Sequence, residues 1–383
     1  MRVLHQWIAA VVAAAISVSS DSRGAEAPIL PFTLSWTQGQ CQQCVTAKSL
    51  VDVEFVGPKQ AWAIGYLPPG ETGAGDFSIL HTLDGARNWT ELAHSYQHND
   101  APLVSFANDR EGWMSRIDMP TGDERFTQTR DGGRHWQRFP MRDPNVGAIQ
   151  NLGDGSGLAT EDRVYETHGV LIATADYGRH WGRTPLPNGF RPERMAFSNM
   201  NHGVLAGCRN KQLVAISTAD GGRHWGESLI GSPIADSTTS DSHCDFQADD
   251  LGFVGANHVW LLANKHSFNN GDAEGGALAL KSVDGGVHWS TSYQAKFNGF
   301  SSKLTSVSFI DDRLGFLTEV GESDATDNSQ SSRNVLLYTT DGGMTWQKTD
   351  LPDAVWGCHV FVHELRCAAG REGHFEVLRI VPK

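Results

Sequence analysis

One eight-residue motif occurs six times in this sequence. Its copies are TLDGARNW around Asp84, TRDGGRHW around Asp131, TADYGRHW around Asp176, TADGGRHW around Asp220, SVDGGVHW around Asp284 and TTDGGMTW around Asp341. Successive aspartates are 44 to 64 residues apart, a repeat length typical of propeller blades built from four strands. The repeat predicts an all-β propeller in which each copy marks one turn of one blade.

The chemistry of the motif predicts a hairpin between two strands. The aspartate can accept hydrogen bonds from amides two or three residues further on, and the glycines tolerate positive φ. The tryptophan five residues after the aspartate begins the returning strand and can cover the turn. A second pattern lies upstream: an apolar strand ending in Phe55, Phe106, Phe197, Phe253 or Phe309, a short polar turn and another apolar strand. Each unit therefore reads as strand A, turn, strand B, loop, strand C, Asp turn and strand D.

Six full units leave three strands at the C-terminus and one, FTLSWTQ, at the N-terminus. Trp36 in that strand resembles the six strand-D tryptophans, so we expect it to complete a seventh blade and to remove an exposed sheet edge. We predict one seven-bladed domain over residues 28–383, preceded by a signal peptide and short leader over 1–27. The expected blades cover 50–93, 100–140, 145–185, 190–230, 247–293, 302–350, and 353–383 with 32–38; six or eight blades are the alternatives.

The motif resembles the Asp-box, or bacterial neuraminidase repeat, and the paired pattern in SFANDREGWM, SFIDDRLGFL and YTTDGGMTW is similar to the photosystem II stability/assembly factor family. The resemblance covers about residues 30 to 383. It implies a seven-bladed propeller that acts as an assembly factor without known catalysis. The sequence departs from the family where His135, His180, His224 and His288 replace the usual threonine. Relatives in non-photosynthetic bacteria share the fold, so a photosynthetic role does not follow.

The N-terminus predicts export, and the charge excludes some partners. Arg2 precedes a twelve-residue apolar core, Trp7 to Val18, which is too short to span a bilayer, and cleavage could follow Ser20 or Ala27. No later stretch is apolar for 18 residues, so we expect a soluble periplasmic or secreted monomer. The formal net charge of −13 gives no footprint for nucleic acid.

An even number of cysteines in an oxidising compartment favours disulfides. Cys358 and Cys367 would lie opposite each other if Val362 and His363 form a two-residue hairpin loop. Cys208 and Cys244 could tie down the link between blades four and five. Cys41 and Cys44, in CQQC, read as a structural disulfide, because neither a haem-attachment His nor a second pair at zinc spacing follows; a redox role is the alternative.

The motif itself does not predict chemistry. Its six aspartates recur once per blade, so they cannot converge on one substrate, and the same spacing argues against a metal site at the four histidines. We expect these histidines to stack beside their tryptophans, with Arg134, Arg179 and Arg223 on the same rim. A sialidase, the main enzymatic alternative, needs an arginine motif before its first Asp-box, and this chain has no arginine between Arg23 and Arg87. No motif indicates a cofactor, so we expect none.

The face opposite the Asp turns is the predicted binding face. Long polar loops are expected there at 67–77, 118–126, 264–276 and 321–334, together with Tyr96, Phe190, Phe297 and Phe300. The alternative is that these aromatics close the ends of blades. The sequence thus favours a non-catalytic scaffold or assembly factor that binds an exported or membrane-associated protein. The alternative is a carbohydrate-active protein that binds or cleaves glycans.

Overall fold

The computed structural model describes residues 30–42, 44, 47–67, 76–95, 103–118, 123–139, 146–161, 169–230, 244, 246–265, 274–298, 303–322, 332–369 and 375–383. Phe32–Lys383 form one compact unit. The described residues fold into seven antiparallel sheets of four strands each. The prediction of an all-β, seven-bladed propeller is confirmed, and the six- and eight-bladed alternatives are excluded.

The first four blades follow the chain in order, each running from its innermost to its outermost strand. Their strands are β2 (Ser49–Phe55), β3 (Ala61–Leu67), β4 (Asp76–Thr82) and β5 (Thr90–Ser95) in blade one; β6 (Leu103–Phe106), β7 (Gly112–Asp118), β8 (Asp123–Thr129) and β9 (Gln137–Arg138) in blade two; β10 (Val146–Gly153), β11 (Ser156–Glu161), β12 (Val170–Thr174) and β13 (Gly182–Pro185) in blade three; and β14 (Arg191–Phe197), β15 (Gly203–Arg209), β16 (Gln212–Thr218) and β17 (Gly226–Leu229) in blade four.

The last three blades include the one that closes the ring. Their strands are β18 (Phe246–Val254), β19 (His258–Lys265), β20 (Glu274–Ser282) and β21 (Ser290–Asn298) in blade five; β22 (Lys303–Phe309), β23 (Gly315–Glu322), β24 (Ser332–Thr339) and β25 (Gln347–Leu351) in blade six; and β26 (Val355–Phe361), β27 (Glu364–Ala369), β28 (Phe375–Pro382) and β1 (Phe32–Gly39) in blade seven.

The N-terminal strand closes the ring, as predicted. It pairs antiparallel with β28 along its whole length, from Phe32 opposite Pro382 to Gly39 opposite Phe375. Strand order in this blade is β1-β28-β27-β26, so the N-terminal strand is outermost. Both ends of the propeller are thereby held in one sheet, and β28 has no exposed edge.

Each Asp turn is built around a buried hydroxyl and an acceptor carboxylate. In blade four the Oγ1 of Thr218 donates to Asp220 Oδ1 (3.0 Å) and accepts from the Gly222 amide (2.8 Å). Asp220 Oδ1 also accepts from the His224 amide (2.9 Å). The carboxylate therefore binds amides three or four residues on, one position later than expected. Gly221 and Gly222 have φ of 72° and 87°, which explains the glycines of the motif.

The core consists of apolar layers between adjacent blades, stapled by the aromatic that enters strand D. Trp136 of blade two packs edge-on against Trp62 of blade one (5.6 Å between ring centroids). In the same way Trp346 of blade six packs against Trp260 of blade five (6.3 Å). Such aromatic contacts add to the free energy gained by burying large rings.

At the closing blade this aromatic is Phe32, and the assignment of Trp36 to the set is wrong. Phe32 is fully buried and packs against Phe316 (5.2 Å) and Tyr338 (5.1 Å) of blade six. Trp36 lies in mid-strand opposite Leu378 and is only half-buried. The strand pairing explains the difference, because Phe32, at the start of β1, faces the end of strand C as the other staples do.

All three predicted disulfides are present: Cys41–Cys44, Cys208–Cys244 and Cys358–Cys367. Val362 and His363 form the predicted two-residue turn, and the Cα atoms of Cys358 and Cys367 are 4.0 Å apart. The predicted leader, 1–27, lies outside the described residues. Among those residues no helix is long and apolar enough to span a membrane.

Candidate functional site: the central channel

The turns on one face of the propeller are described, whereas the loops on the other face lie largely outside the described residues. We call the side with the A–B and C–D turns the Asp-turn face, and the opposite side the loop face. The loops predicted at 67–77, 118–126, 264–276 and 321–334 join strands that end at the loop face, and they lie largely outside the described residues. The strand ends fix the face at which these loops attach, and the proposal that the loops form a binding face stays a prediction.

Of the four aromatics predicted for the loop face, Phe190 is described in full. It is 0% exposed and packs in the layer between blades three and four with Leu186 and Leu205. It is therefore not a contact residue, and it follows the alternative in which these aromatics close a blade. Tyr96, Phe300 and the side chain of Phe297 lie outside the described residues.

On the Asp-turn face the histidines pair with aspartates and not, as expected, with tryptophans. His135, His180, His224 and His288 are 86–90% exposed, and each Nδ1 lies 2.6 Å from Oδ2 of the aspartate in its own turn. The other two turns keep the same bond with a different donor, since Asn88 Nδ2 and Thr345 Oγ1 bind Asp84 and Asp341 at 2.6 Å. This position therefore supplies a side-chain donor that closes the turn. Arg134, Arg179 and Arg223 are exposed on this rim.

A pocket with a volume of about 400 Å³ lies in the central channel of the propeller. Its wall consists mainly of the innermost strand of every blade. The contributing residues are Val51 and Asp52, Leu103 and Val104, Gly147 to Ile149, Glu193 to Met195, Asp249 and Asp250, Thr305 and Ser306, and Gly357 to His359, with Ile64 from a second strand. Propeller axes are common places for ligands because all blades converge there.

A recurring β-bulge shapes this channel. The pairing register shifts between Leu50 and Asp52 in β2, and between Pro192 and Arg194 in β14. Equivalent shifts occur in β10, β18, β22 and β26. A bulge re-aims the side chains next to it. Each of these six strands has a register shift near its start, and these strands start at the loop face, so the lined part of the channel opens on that face.

Hydrogen bonds join the innermost strands of neighbouring blades around the whole channel. At the first five junctions a side chain of one blade accepts a hydrogen bond from a backbone amide of the next: Glu54 from Phe106 (3.2 Å), Ser105 from Asn151 (3.0 Å), Gln150 from Phe197 (2.7 Å), Glu193 from Ala248 (2.7 Å) and Asp250 from Val307 (2.9 Å). At the sixth junction Ser308 donates to the Cys358 carbonyl (3.0 Å). At the seventh, His359 Nε2 lies 2.8 Å from Asp52 Oδ1. Polar side chains of the innermost strands thus hold the blades in register, and Asp52, Glu193, Asp250 and His359 among them also line the channel.

The pKa values of titrating groups in the channel wall and directly behind it are strongly perturbed. Burial raises the pKa of Glu54, which lies behind the lining residues, to about 7, despite opposing effects of His359 and the Phe106 amide. Burial likewise raises the pKa of Glu193 to about 7 and raises that of Asp250. Burial disfavours the charged imidazole of His359, but Asp52, with Glu54 and Asp250, outweighs this and raises its pKa to about 10.

Asp52 has the opposite shift. Burial would raise its pKa, but the charge and hydrogen bond of His359 hold it below its ordinary value. The side chains of His359 and Asp52 remain 46% and 44% exposed, because they face the open channel while protein surrounds them. The pair is therefore an imidazolium and a carboxylate at neutral pH.

The arrangement suits binding by charge and shape. Arg194 is fixed by two backbone carbonyls, since its Nε donates to Asp249 O (2.7 Å) and its Nη1 to Glu193 O (2.8 Å). The described residues contain no group of three His, Cys, Asp or Glu side chains that could hold a metal ion. This channel was not predicted from the sequence. The signal that could have indicated it is the occurrence of polar residues inside otherwise apolar strands, as in VDVEF, ERMAF and ADDLGF.

No protein-family model and no curated protein matches the chain. Solved structures do match. A structure of YCF48 bound to D1 peptide has a TM-score of 0.57 and 18% identity over 93% of this chain and 98% of that chain. YCF48 from Cyanidioschyzon merolae has a TM-score of 0.55 and 16% identity, covering 91% and 98%. A PL25 ulvan lyase bound to -[GlcA(1-4)Rha3S]- has a TM-score of 0.51 and 8% identity, covering 86% and 94%.

These likenesses define the class of the protein. It is a seven-bladed β-propeller, similar in fold to YCF48 and to a polysaccharide lyase. At such identities the likeness concerns the fold, and function has to be argued from the site.

Proposed function

We propose that this protein is an exported, non-catalytic scaffold that binds a polypeptide segment of another exported or membrane-associated protein at its loop face. The observation that carries the proposal is the direction of the channel, whose charged part opens on the face to which the longest connections belong. Variable connections on a rigid framework are where proteins commonly place recognition. A structure of the same fold, YCF48, has been solved with a D1 peptide bound.

The Asp-turn face is less suited to recognition. The carboxylate oxygens of its aspartates already accept hydrogen bonds within their own turns, as those of Asp220 do from Thr218 and His224. Its side-chain donors before the tryptophans are used in the same bonds. The exposed groups that remain on this face are mainly the arginines of the rim, Arg134, Arg179 and Arg223. Substituting these arginines therefore provides the control for an experiment on the loop face.

The test is capture of partners from the exported fraction by chemical crosslinking, followed by mapping of the crosslinked residues. One variant carries Phe297→Ala and Phe300→Ala, the aromatics that the sequence predicts for the loop face, and the matched variant carries Arg134→Ala, Arg179→Ala and Arg223→Ala. Thermal unfolding first establishes that both are folded. We expect the phenylalanine variant to lose the partner and the arginine variant to keep it. Loss of the partner in the arginine variant alone would place binding at the Asp-turn face and overturn the proposal.

A carbohydrate-active protein is the second candidate. The channel holds carboxyl groups with raised pKa values beside His359 and Arg194, and the same fold occurs in the ulvan lyase. Incubating the purified protein with a panel of acidic and neutral polysaccharides separates the two candidates. Release of reducing or unsaturated ends that Glu193→Gln abolishes would overturn the non-catalytic proposal.

A further inference from the structure

The channel has two chemically different sides. Blades two and three contribute an apolar side, made of Leu103, Val104, Ala148 and Ile149. Blades four and five contribute a charged side, to which blade one adds a carboxylate. The pocket is therefore amphipathic across its width, and a ligand that fits it has to satisfy both sides at once.

We propose that this channel binds an aliphatic chain that ends in an ammonium or guanidinium group, in the first place a lysine or arginine side chain of the bound polypeptide. The inference rests on the proposed function and deepens it, because it assigns the residue type that the scaffold would read. A free aliphatic diamine presents the same chemistry, so the experiment below separates the two sources.

The charges of the lining favour a cation. Asp52 is matched by His359, which lies 2.8 Å away. Arg194 is the other cation of the lining, whereas Glu193, Asp249 and Asp250 are all acidic. With Glu193 partly protonated at neutral pH, Asp249 and Asp250 still leave a negative excess in a channel that the seven blades surround. Such a site attracts cations and repels carboxylates, which gives selectivity as well as affinity.

The acidic side chains are also fixed in place before a ligand arrives. Glu193 accepts the Ala248 amide and Asp250 accepts the Val307 amide. Asp249 Oδ2 accepts from Asn264 Nδ2 at 2.6 Å. Because these bonds orient the carboxylates in advance, a ligand does not have to order them, and less conformational entropy is lost on binding.

The apolar side selects an aliphatic stem rather than a compact cation. Lysine and arginine pack their methylene groups along apolar surface while the charged end reaches a polar environment. Ala148 contributes only a methyl group to this side of the lining, and Leu103 and Ile149 of the same lining are apolar. A small inorganic cation would leave this half of the pocket without a matching contact.

The carboxyl groups of the channel supply an independent readout. Burial raises the pKa of Glu193 to about 7, so part of this group is protonated at neutral pH. A bound cation favours the ionised carboxylate and lowers that pKa. Binding at pH 7 should therefore release protons, which calorimetry detects as a dependence of the binding heat on the ionisation heat of the buffer.

The experiment is isothermal titration calorimetry of the full mature chain with acetylated, amidated pentapeptides Gly-Gly-X-Gly-Gly, where X is lysine, arginine, norleucine or glutamate. We expect the lysine or arginine peptide to bind with proton release, and the norleucine and glutamate peptides to bind at least about tenfold more weakly. Equal binding of the norleucine peptide would overturn the inference, as would the absence of any binding by the two basic peptides.

Two variants and one control locate the site. Asp250→Asn keeps an oxygen for the Val307 amide but removes the charge, and we expect it to weaken the basic peptides about tenfold or more. Ala148→Leu fills the stem space and should also weaken them. Asp312→Asn, at an exposed turn on the Asp-turn face, removes the same charge elsewhere and should change nothing. Unchanged binding in both channel variants would overturn the assignment.

Cadaverine separates the two sources of the cation. Binding of cadaverine without any binding of the basic peptides would overturn the side-chain assignment. If the basic peptides bind in the channel but no partner is captured at the loop face, the inference holds and the proposed function fails. If a partner is captured equally well after its lysines and arginines are replaced, the proposed function stands and the inference fails.

Discussion

The imidazole Nε2 of His359 in blade seven lies 2.8 Å from Oδ1 of Asp52 in blade one. The two residues are 307 positions apart in the sequence, and they meet at the junction where the last blade joins the first. Their contact belongs to the same ring of hydrogen bonds that links the other six junctions. A charged pair at this junction makes the closing of the propeller sensitive to pH.

We expect His359→Gln to remove a pH-dependent part of the stability. The pKa of His359 is raised from its ordinary value of 6.5 to about 10, so its stabilising contribution is complete below pH 6.5 and is lost as the pH rises through about 10. The difference in unfolding free energy between wild type and variant should therefore shrink between these two values. Denaturant unfolding at a series of pH values measures it, and a constant difference would contradict the charged pair.

Glu193→Gln should have the opposite dependence. The pKa of Glu193 is raised from 4.5 to about 7, so the folded protein keeps a proton that the unfolded chain has already lost. Ionisation of this group therefore lowers wild-type stability as the pH rises from 4.5 through 7. The amide of glutamine can still accept the Ala248 N–H, so the variant should fold and become relatively more stable over that range. A matched Glu227→Gln change, which removes an exposed carboxylate paired with Arg209 in blade four, should not reproduce this gain.

Thr218→Val tests the construction of the Asp turn. Valine preserves the shape of the side chain but leaves the buried Gly222 amide without its acceptor. Leaving a buried donor unsatisfied typically costs about 1–3 kcal/mol. Denaturant unfolding should show a loss of this size, while Arg223→Ala in the same turn should have almost no effect. Equal effects of both changes would refute the role of the hydroxyl.

Asp220→Ala should lower the unfolding midpoint without affecting partner capture. The side chain and amide of His224 donate to this carboxylate and hold its pKa at about 2. The stabilisation is therefore present above its ordinary pKa of 3.8 and is lost as the pH falls through about 2. Unfolding curves at pH 2 and pH 6 should differ more for wild type than for the variant. An unchanged midpoint together with lost capture would show that the turn serves binding.

The fold could be predicted from the repeat, whereas the central channel could not. Residues of the Asp turn interact within four positions of each other, so Asp220 and its glycines could be read as a turn directly. The channel joins residues such as Asp52 and His359 from distant blades, and a bulge decides which side chain faces the axis. Period-two alternation carries no information about an inserted residue. Trp36 was misassigned for a related reason, since its residue type suggested an equivalence to the strand-D tryptophans that the pairing of β1 with β28 does not support.

The disulfides should differ in their contribution to stability. Cys208 and Cys244 close a loop with a sequence separation of 36, whereas Cys41 and Cys44 are three residues apart. Because longer loops lose more entropy on crosslinking, replacing Cys208 and Cys244 by alanine should cost about 2–4 kcal/mol, and replacing Cys41 and Cys44 less. Denaturant unfolding of the two double variants compares them, after peptide mapping under non-reducing conditions has established the three pairs in the wild type. A larger loss for the Cys41 and Cys44 variant would contradict this order.

Phe32→Ala and Trp36→Ala distinguish the two aromatics of the closing strand. Phe32 is buried against Phe316 and Tyr338, and removing a buried phenylalanine side chain typically costs about 3–5 kcal/mol. Trp36 is only half-buried in mid-strand, so its removal should cost less, although tryptophan is the larger residue. Thermal and denaturant unfolding of the two variants give the ranking. Limited proteolysis adds a second measure. Loosening of β1 exposes the edge of β28, so we expect the Phe32 variant to be cut faster in this blade than the Trp36 variant. If Trp36→Ala lowers stability more than Phe32→Ala, then Trp36 is the aromatic that packs between the blades, as the sequence first suggested. The strand register between β1 and β28 would then be incorrect.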